Sequence, residues 1–135
     1  MRHEFHACLA DLPALLAALR TLCRAAGLEA DEVLRAELVI EETFSNSIRH
    51  GYGGERPHKT VWLTGEILHD GVRLVYEDEA PPFDPLQELP PLRQEGEGGA
   101  GSVLLKSLPR RAVYRRIGER NVLTVEFCAG NPVRY

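Results

Sequence analysis

Apolar positions recur along the chain in two periods, and the switch between them marks the elements. Residues 2–9 alternate loosely and predict an opening strand. Asp11-Leu12-Pro13 reads as a helix start, with aspartate as N-cap and proline in the first turn. Leu15, Leu16, Leu19, Leu22 and Cys23 then follow at helical spacing, with Gly27 as C-cap. A second helix starts near Asp31, and Val33, Leu34, Leu38, Ile40, Phe44 and Ile48 predict its buried surface; Gly51-Tyr52-Gly53-Gly54 stops it. Beyond that break the period falls to two. Thr60 to Leu68 and Val72 to Tyr76 read as strands around His69-Asp70-Gly71, a hairpin with Asp-Gly at the centre of its turn. Ser102 to Leu108 is a short helical run ended by Pro109, and two last strands, about 111–117 and 121–127, join around Gly118.

The resulting string, β-α-α-β-β-loop-α-β-β, predicts an α+β fold: a two-layer sandwich of a mostly antiparallel sheet with helices on one face. Nothing repeats internally, and 135 residues fit a single domain, 1–135. Between the two halves lies an irregular stretch, 81–100, holding five of the nine prolines together with Gly96, Gly98 and Gly99. So long a segment inside a small domain is a lid, a binding loop or a linker. Only about 35 residues follow it, too few for another domain, which favours a lid.

Composition narrows the function classes. Sixteen Lys and Arg against 20 Asp and Glu give a net charge of −4, which argues against a nucleic-acid or membrane-surface binder. No apolar run approaches the roughly 18 residues a membrane helix needs. Three widely spaced cysteines without a CxxC suit small packing residues in a reducing, cytoplasmic setting.

Three stretches carry candidate chemistry. In Glu41-Glu42-Thr43-Phe44-Ser45-Asn46-Ser47-Ile48-Arg49-His50, helical geometry stacks Glu42, Asn46 and Arg49 along one strip. A solvated helix face has the same look, but Asn is a poor mid-helix residue. Its amide oxygen is a hard Mg²⁺ ligand, and a carboxylate one turn away can act as a base. His50 is either a ligand-side residue or a charge complementing the helix C-terminus. Asp78, at the end of the second hairpin strand, can accept a hydrogen bond from a ligand, although acidic residues there also simply mark a turn. Gly96-Glu97-Gly98-Gly99-Ala100-Gly101 matches G-x-G-x-x-G literally, yet it follows no strand and lacks the Walker lysine. A glycine-rich entry to a helix can still hold phosphate on its amides; a cap or linker is the plainer reading. Arg110-Arg111 and Arg115-Arg116 flank a strand, as a solvated face or as part of a patch for an anionic partner.

The order of these signals resembles the GHKL (Bergerat) ATP-binding superfamily, and more narrowly the anti-sigma-factor serine/threonine kinases of the RsbW/SpoIIAB type. Glu42-Thr43-Phe44-Ser45-Asn46-Ser47-Ile48-Arg49-His50-Gly51-Tyr52 is similar to the family's E-x-x-x-N-x-I-x-H-x-Y helix, and Phe83-Asp84-Pro85 to its F-D-P. The likeness runs from about residue 30 to 127.

The resemblance implies an ATP- and Mg²⁺-dependent serine-protein kinase that phosphorylates a STAS-type anti-sigma-factor antagonist and sequesters a sigma factor, with a homodimer as a further expectation. Asn46 would hold Mg²⁺, and Glu42 would be the general base. Asp78 would accept from the adenine amino group, Thr124 would support adenine from the last strand, and 81–100 would be the ATP lid. Gly99, Gly101 and Ser102 would lie around the phosphates, with His50 and Ala80 beside the nucleotide. Two departures stand out: Ala80 replaces the glycine of the family's D-x-G, and Glu97 stands where some members carry a basic lid residue. They motivate an alternative, a nucleotide-binding partner-switch module with weak or no phosphoryl transfer.

Overall fold

The computed structural model describes residues 1–87 and 104–130. The elements are β1 (Arg2–Ala7), α1 (Leu12–Ala25), α2 (Ala30–Asn46), β2 (Arg56–Leu68), β3 (Gly71–Asp78), β4 (Arg111–Ile117) and β5 (Arg120–Cys128). A short 3-10 turn, Leu9–Asp11, precedes α1, and α2 runs on into a π-helical turn, Ser47–Gly51. Residues 104–107 are helical. The strands form one sheet in the order β1-β2-β3-β5-β4, every neighbouring pair antiparallel. This is the α+β sandwich the sequence predicts.

Strand alternation decides which side chains meet the helices. Val61 and Leu63 of β2, Val72, Leu74 and Tyr76 of β3, and Leu123, Val125 and Phe127 of β5 are buried against Leu15, Leu19, Ile40 and Phe44. Burying each such side chain stabilises the fold by about 1.5–3 kcal/mol. The intervening residues, Arg73, Thr124 and Glu126 among them, line the opposite face. No helix among the described residues is long and apolar enough to cross a membrane.

Several local expectations are corrected. Leu34 and Leu38 are 55% and 41% exposed. The core stripe of α2 runs through Val33, Ala36, Val39, Ile40 and Thr43, and at 100° per residue the two leucines fall outside it. Asp11 sits at the cap position of α1 without a capping bond; its carboxylate instead accepts from the His6 N–H at 2.6 Å. Asp-Gly is not the centre of the hairpin turn. Gly71 pairs with Leu68, leaving His69 and Asp70 as the loop. Gly71 is a strand residue by its pairing with Leu68 and Cys128, and the position needs glycine because an added Cβ would stand 2.0 Å from the Phe127 carbonyl oxygen. Of the cysteines only Cys23 is core, its thiol pushed up to about 12, first by burial and then by Glu37 and Glu32; Cys8 and Cys128 are half-buried.

Candidate functional site

The site forms where the end of α2 meets the ends of β3 and β5. Asn46 is the last residue of α2 and is buried. From Ser47 the helix widens to a π turn, with the Tyr52 N–H donating to the Ser47 carbonyl at 2.6 Å. Such widenings re-aim side chains and recur at functional sites. Here the side chain so placed is that of Ser47, whose Oγ donates to Asp78 Oδ2 at 2.6 Å and lies 2.8 Å from the Tyr76 hydroxyl. The Tyr76 phenol is held well above its ordinary value, first by burial and then by the nearby Asp78 charge. It therefore stays protonated and completes a chain from Tyr76 through Ser47 to Asp78.

Asp78 is buried at the end of β3, and two further donors meet its other oxygen. The Ala80 N–H reaches Oδ1 at 3.1 Å and Asn121 Nδ2 reaches it at 2.8 Å. A buried carboxylate is expensive unless its acceptor sites are filled. Three donors fill most of them and leave acceptor capacity at Oδ2. Asn46, Ser47, Tyr76, Asp78, Phe83 and Asn121 share one small cavity. In it Asn46 Oδ1 is buried with no hydrogen-bond partner among the described residues, an exception to the rule that buried polar atoms are paired.

Glu42 lies one helical turn before Asn46 and does not line the cavity. Its side chain is 22% exposed, with the Arg49 guanidinium at 3.6 Å. Burial raises its pKa above the ordinary 4.5, opposed by Arg49 and reinforced by Glu41. The His50 ring stacks on Phe83, centroids 5.7 Å apart, and Phe83 is a cavity wall. Ala80 is wholly buried beside the cavity rather than in its lining. Its methyl faces Gly51, where an added Cβ would come within 2.9 Å, so a glycine on the π turn makes room for the residue that replaces the family's glycine.

Thr124 is not part of this assembly. It lies on the opposite face of the sheet, lining a separate groove with Arg73, Arg111, Val113, Arg115 and Glu126. The position on β5 that faces Asp78 is Asn121, its register partner. Besides holding Asp78, Asn121 Nδ2 donates to the carbonyls of Ala80 and Pro81, and its Oδ1 accepts from the Phe83 N–H and the Tyr114 hydroxyl. Arg116 adds a bond to the Ala80 carbonyl at 2.7 Å. Sequence reasoning missed this residue, yet a signal was present. Thr124 and Glu126 are the polar positions between Leu123, Val125 and Phe127, so Thr124 has the parity of the solvent face and Asn121 that of the core. Gly99, Gly101, Ser102 and Glu97, together with most of the 81–100 stretch, lie outside the described residues.

The donor set bears on a metal. No group of three His, Cys, Asp or Glu among the described residues could hold one, so an all-protein cage is absent there. A single hard oxygen, the unpartnered Asn46 Oδ1, fits Mg²⁺ carried on phosphates, because Mg²⁺ keeps few protein ligands.

Comparison with known proteins agrees with this geometry. No curated protein matches the chain. A crystal structure of the RsbU and RsbW domains of Rv1364c from Mycobacterium tuberculosis shares its fold, with a TM-score of 0.65 and 15% identity over 100% of this chain and 34% of that one. The present chain thus spans about a third of that protein's analysed length. Residues 5–127 match the family described as the histidine kinase-like ATPase domain. The chain accordingly belongs to the histidine kinase-like ATPase family, with the GHKL ATP-binding fold.

Proposed function

We propose that the protein is an ATP-dependent kinase of the anti-sigma, partner-switch type, transferring a phosphoryl group to a serine of a STAS-type antagonist and binding a sigma factor in alternation. The observation that carries this reading is the buried Asn46 Oδ1, unpartnered among the described residues, on a residue that lines the same cavity as the Asp78 carboxylate, which three donors hold and which keeps acceptor capacity at Oδ2. One is a hard donor oxygen that no described side chain engages; the other is a preorganised acceptor.

Asp78 Oδ2 accepts from the adenine amino group, while Ser47 and Asn121 keep the carboxylate fixed. Mg²⁺ held by Asn46 Oδ1 would neutralise phosphate charge. Glu42, half-buried and with its pKa raised above the ordinary carboxylate value by burial, takes the proton of the attacking serine hydroxyl as general base. Arg49 keeps that carboxylate oriented. Phosphoryl transfer depends chiefly on such positioning and charge neutralisation. The Ala80 methyl is directed at Gly51, and Ala80 is not part of the cavity lining.

Thermal shift with Mg-ATP tests the nucleotide half. Ligand at a hundredfold excess over Kd raises stability by about 2.7 kcal/mol. Asn46→Ala should remove most of that shift while leaving the nucleotide-free protein folded. An unmoved wild-type transition would end the ATP-dependent reading. Binding without phosphoserine on any antagonist would make the protein a nucleotide-gated binding module instead.

A further inference from the structure

β4 is the outermost strand of the sheet and, among the described residues, pairs only with β5. Its other edge therefore offers backbone N–H and C=O groups, a ready template for strand addition. The arginines around it differ in their commitments. Arg110 is paired with Asp70 and Glu126, and Arg116 donates to the Ala80 carbonyl. Arg111 and Arg115 are exposed and form no ion pair among the described residues. They stand four residues apart on one side of the strand, flanking Val113 beside the groove with Thr124. On the other side Ala112 packs against the core and Tyr114 bonds Asn121.

We infer that the edge of β4 left unpaired among the described residues receives an extended, acidic segment of a partner protein, added as a further strand. Charge selects the occupant. A second copy of the same edge would set Arg111 and Arg115 against arginines, and like charges across a strand pair are destabilising. A nucleic acid is disfavoured by the chain's net charge of −4. A segment alternating acidic with apolar residues matches both sides of β4, carboxylates toward Arg111 and Arg115 and small apolar groups toward Ala112 and Tyr114. The docked strand also lies close to the nucleotide cavity, since Tyr114 and Arg116 reach Asn121 and Ala80.

The test needs no nucleotide, so its outcome is separable from that of the kinase reading. A labelled peptide alternating Glu and Val is titrated into the full chain and followed by fluorescence anisotropy. A Lys–Val counterpart and a Glu–Val peptide N-methylated at alternate residues serve as controls. Wild type should bind the acidic peptide at least about tenfold more tightly than the basic one, and R111E/R115E should reverse that order. N-methylation, which removes strand donors, should abolish binding. Several results would overturn the inference: no binding up to about 1 mM peptide, equal binding of both peptides, indifference to R111E/R115E or to N-methylation, or tighter capture of a single-stranded oligonucleotide. Concentration-dependent dimers that R111E/R115E dissolves would also overturn it, by making a second copy the occupant. Circular dichroism of the variant confirms that it is folded, which is expected because both positions are exposed.

Discussion

The helix side and the strand side of the site each present a carboxylate, and the fold treats them oppositely. Asp78 on β3 is buried and receives three donors, from Ser47, Ala80 and Asn121, which come from three separate parts of the chain. Glu42 on α2 is partly exposed and has one ion pair, at 3.6 Å. A carboxylate fixed by its own protein is suited to recognise a donor of constant geometry, because little ordering cost remains on binding. A carboxylate with a raised pKa and free acceptor sites is suited to take a proton. Burial alone does not separate the two roles; the number of donors already committed does.

The sharpest way to break this contrast is Glu42→Gln. If Glu42 is the base, phosphoryl transfer to a STAS-type antagonist should fall by about 10²–10⁴-fold. Mg-ATP affinity should be preserved, because Glu42 does not line the cavity. Quantifying phosphoserine and nucleotide affinity on the same preparation checks both halves. Equal loss of binding and transfer would place Glu42 with the recognition residues and erase the distinction.

Asp78→Ala should act on the other side and mainly on stability. It leaves the Ala80 N–H and one hydroxyl hydrogen of the Ser47–Tyr76 pair without an acceptor in a buried site, while Asn121 Nδ2 keeps the Ala80 and Pro81 carbonyls, at about 3 kcal/mol in total, or roughly 10 °C in Tm. Nucleotide binding should vanish with it. Calorimetric unfolding without ligand measures the first effect. A loss below about 1 kcal/mol would mean that these donors find water and that Asp78 is not preorganised in the sense argued here.

The contrast also explains what could be read from the sequence. The β2–β3 hairpin and the two helices were legible because their periodicity lies within single segments. That Glu42 and Asn46 stand one turn apart on one helix was legible for the same reason. Asn121 was not, since its role depends on pairing with Asp78, 43 positions away in sequence, and on the turn that delivers the Phe83 N–H to it. Thr124 was misplaced by strand parity: three residues along a strand reverse the face. Leu34 and Leu38 were misassigned because an apolar residue on a helix need not face the core; a one-way rule was read in both directions.

The smallest expected effect is the most specific to Glu42. Its folded-state pKa lies above 4.5, with burial as the leading cause, Arg49 opposing and Glu41 adding. In the window between the unfolded and the raised folded value, the native state holds more protons at this site than the unfolded chain does. Stability from this group is therefore fully present below about 4.5 and is lost as pH rises through the folded value. Glutamine has no such slope. The difference in unfolding free energy between wild type and Glu42→Gln, measured by denaturant titration across the acid range, should fall for wild type as pH rises and then become level. Titrating groups that do not interact with Glu42 cancel in the difference, which leaves Glu42 and its coupling to the adjacent Glu41 and Arg49. A difference that instead grew in favour of wild type with rising pH would mean that the Arg49 pair outweighs burial, and Glu42 would then be a held charge like Asp78 rather than a poised base.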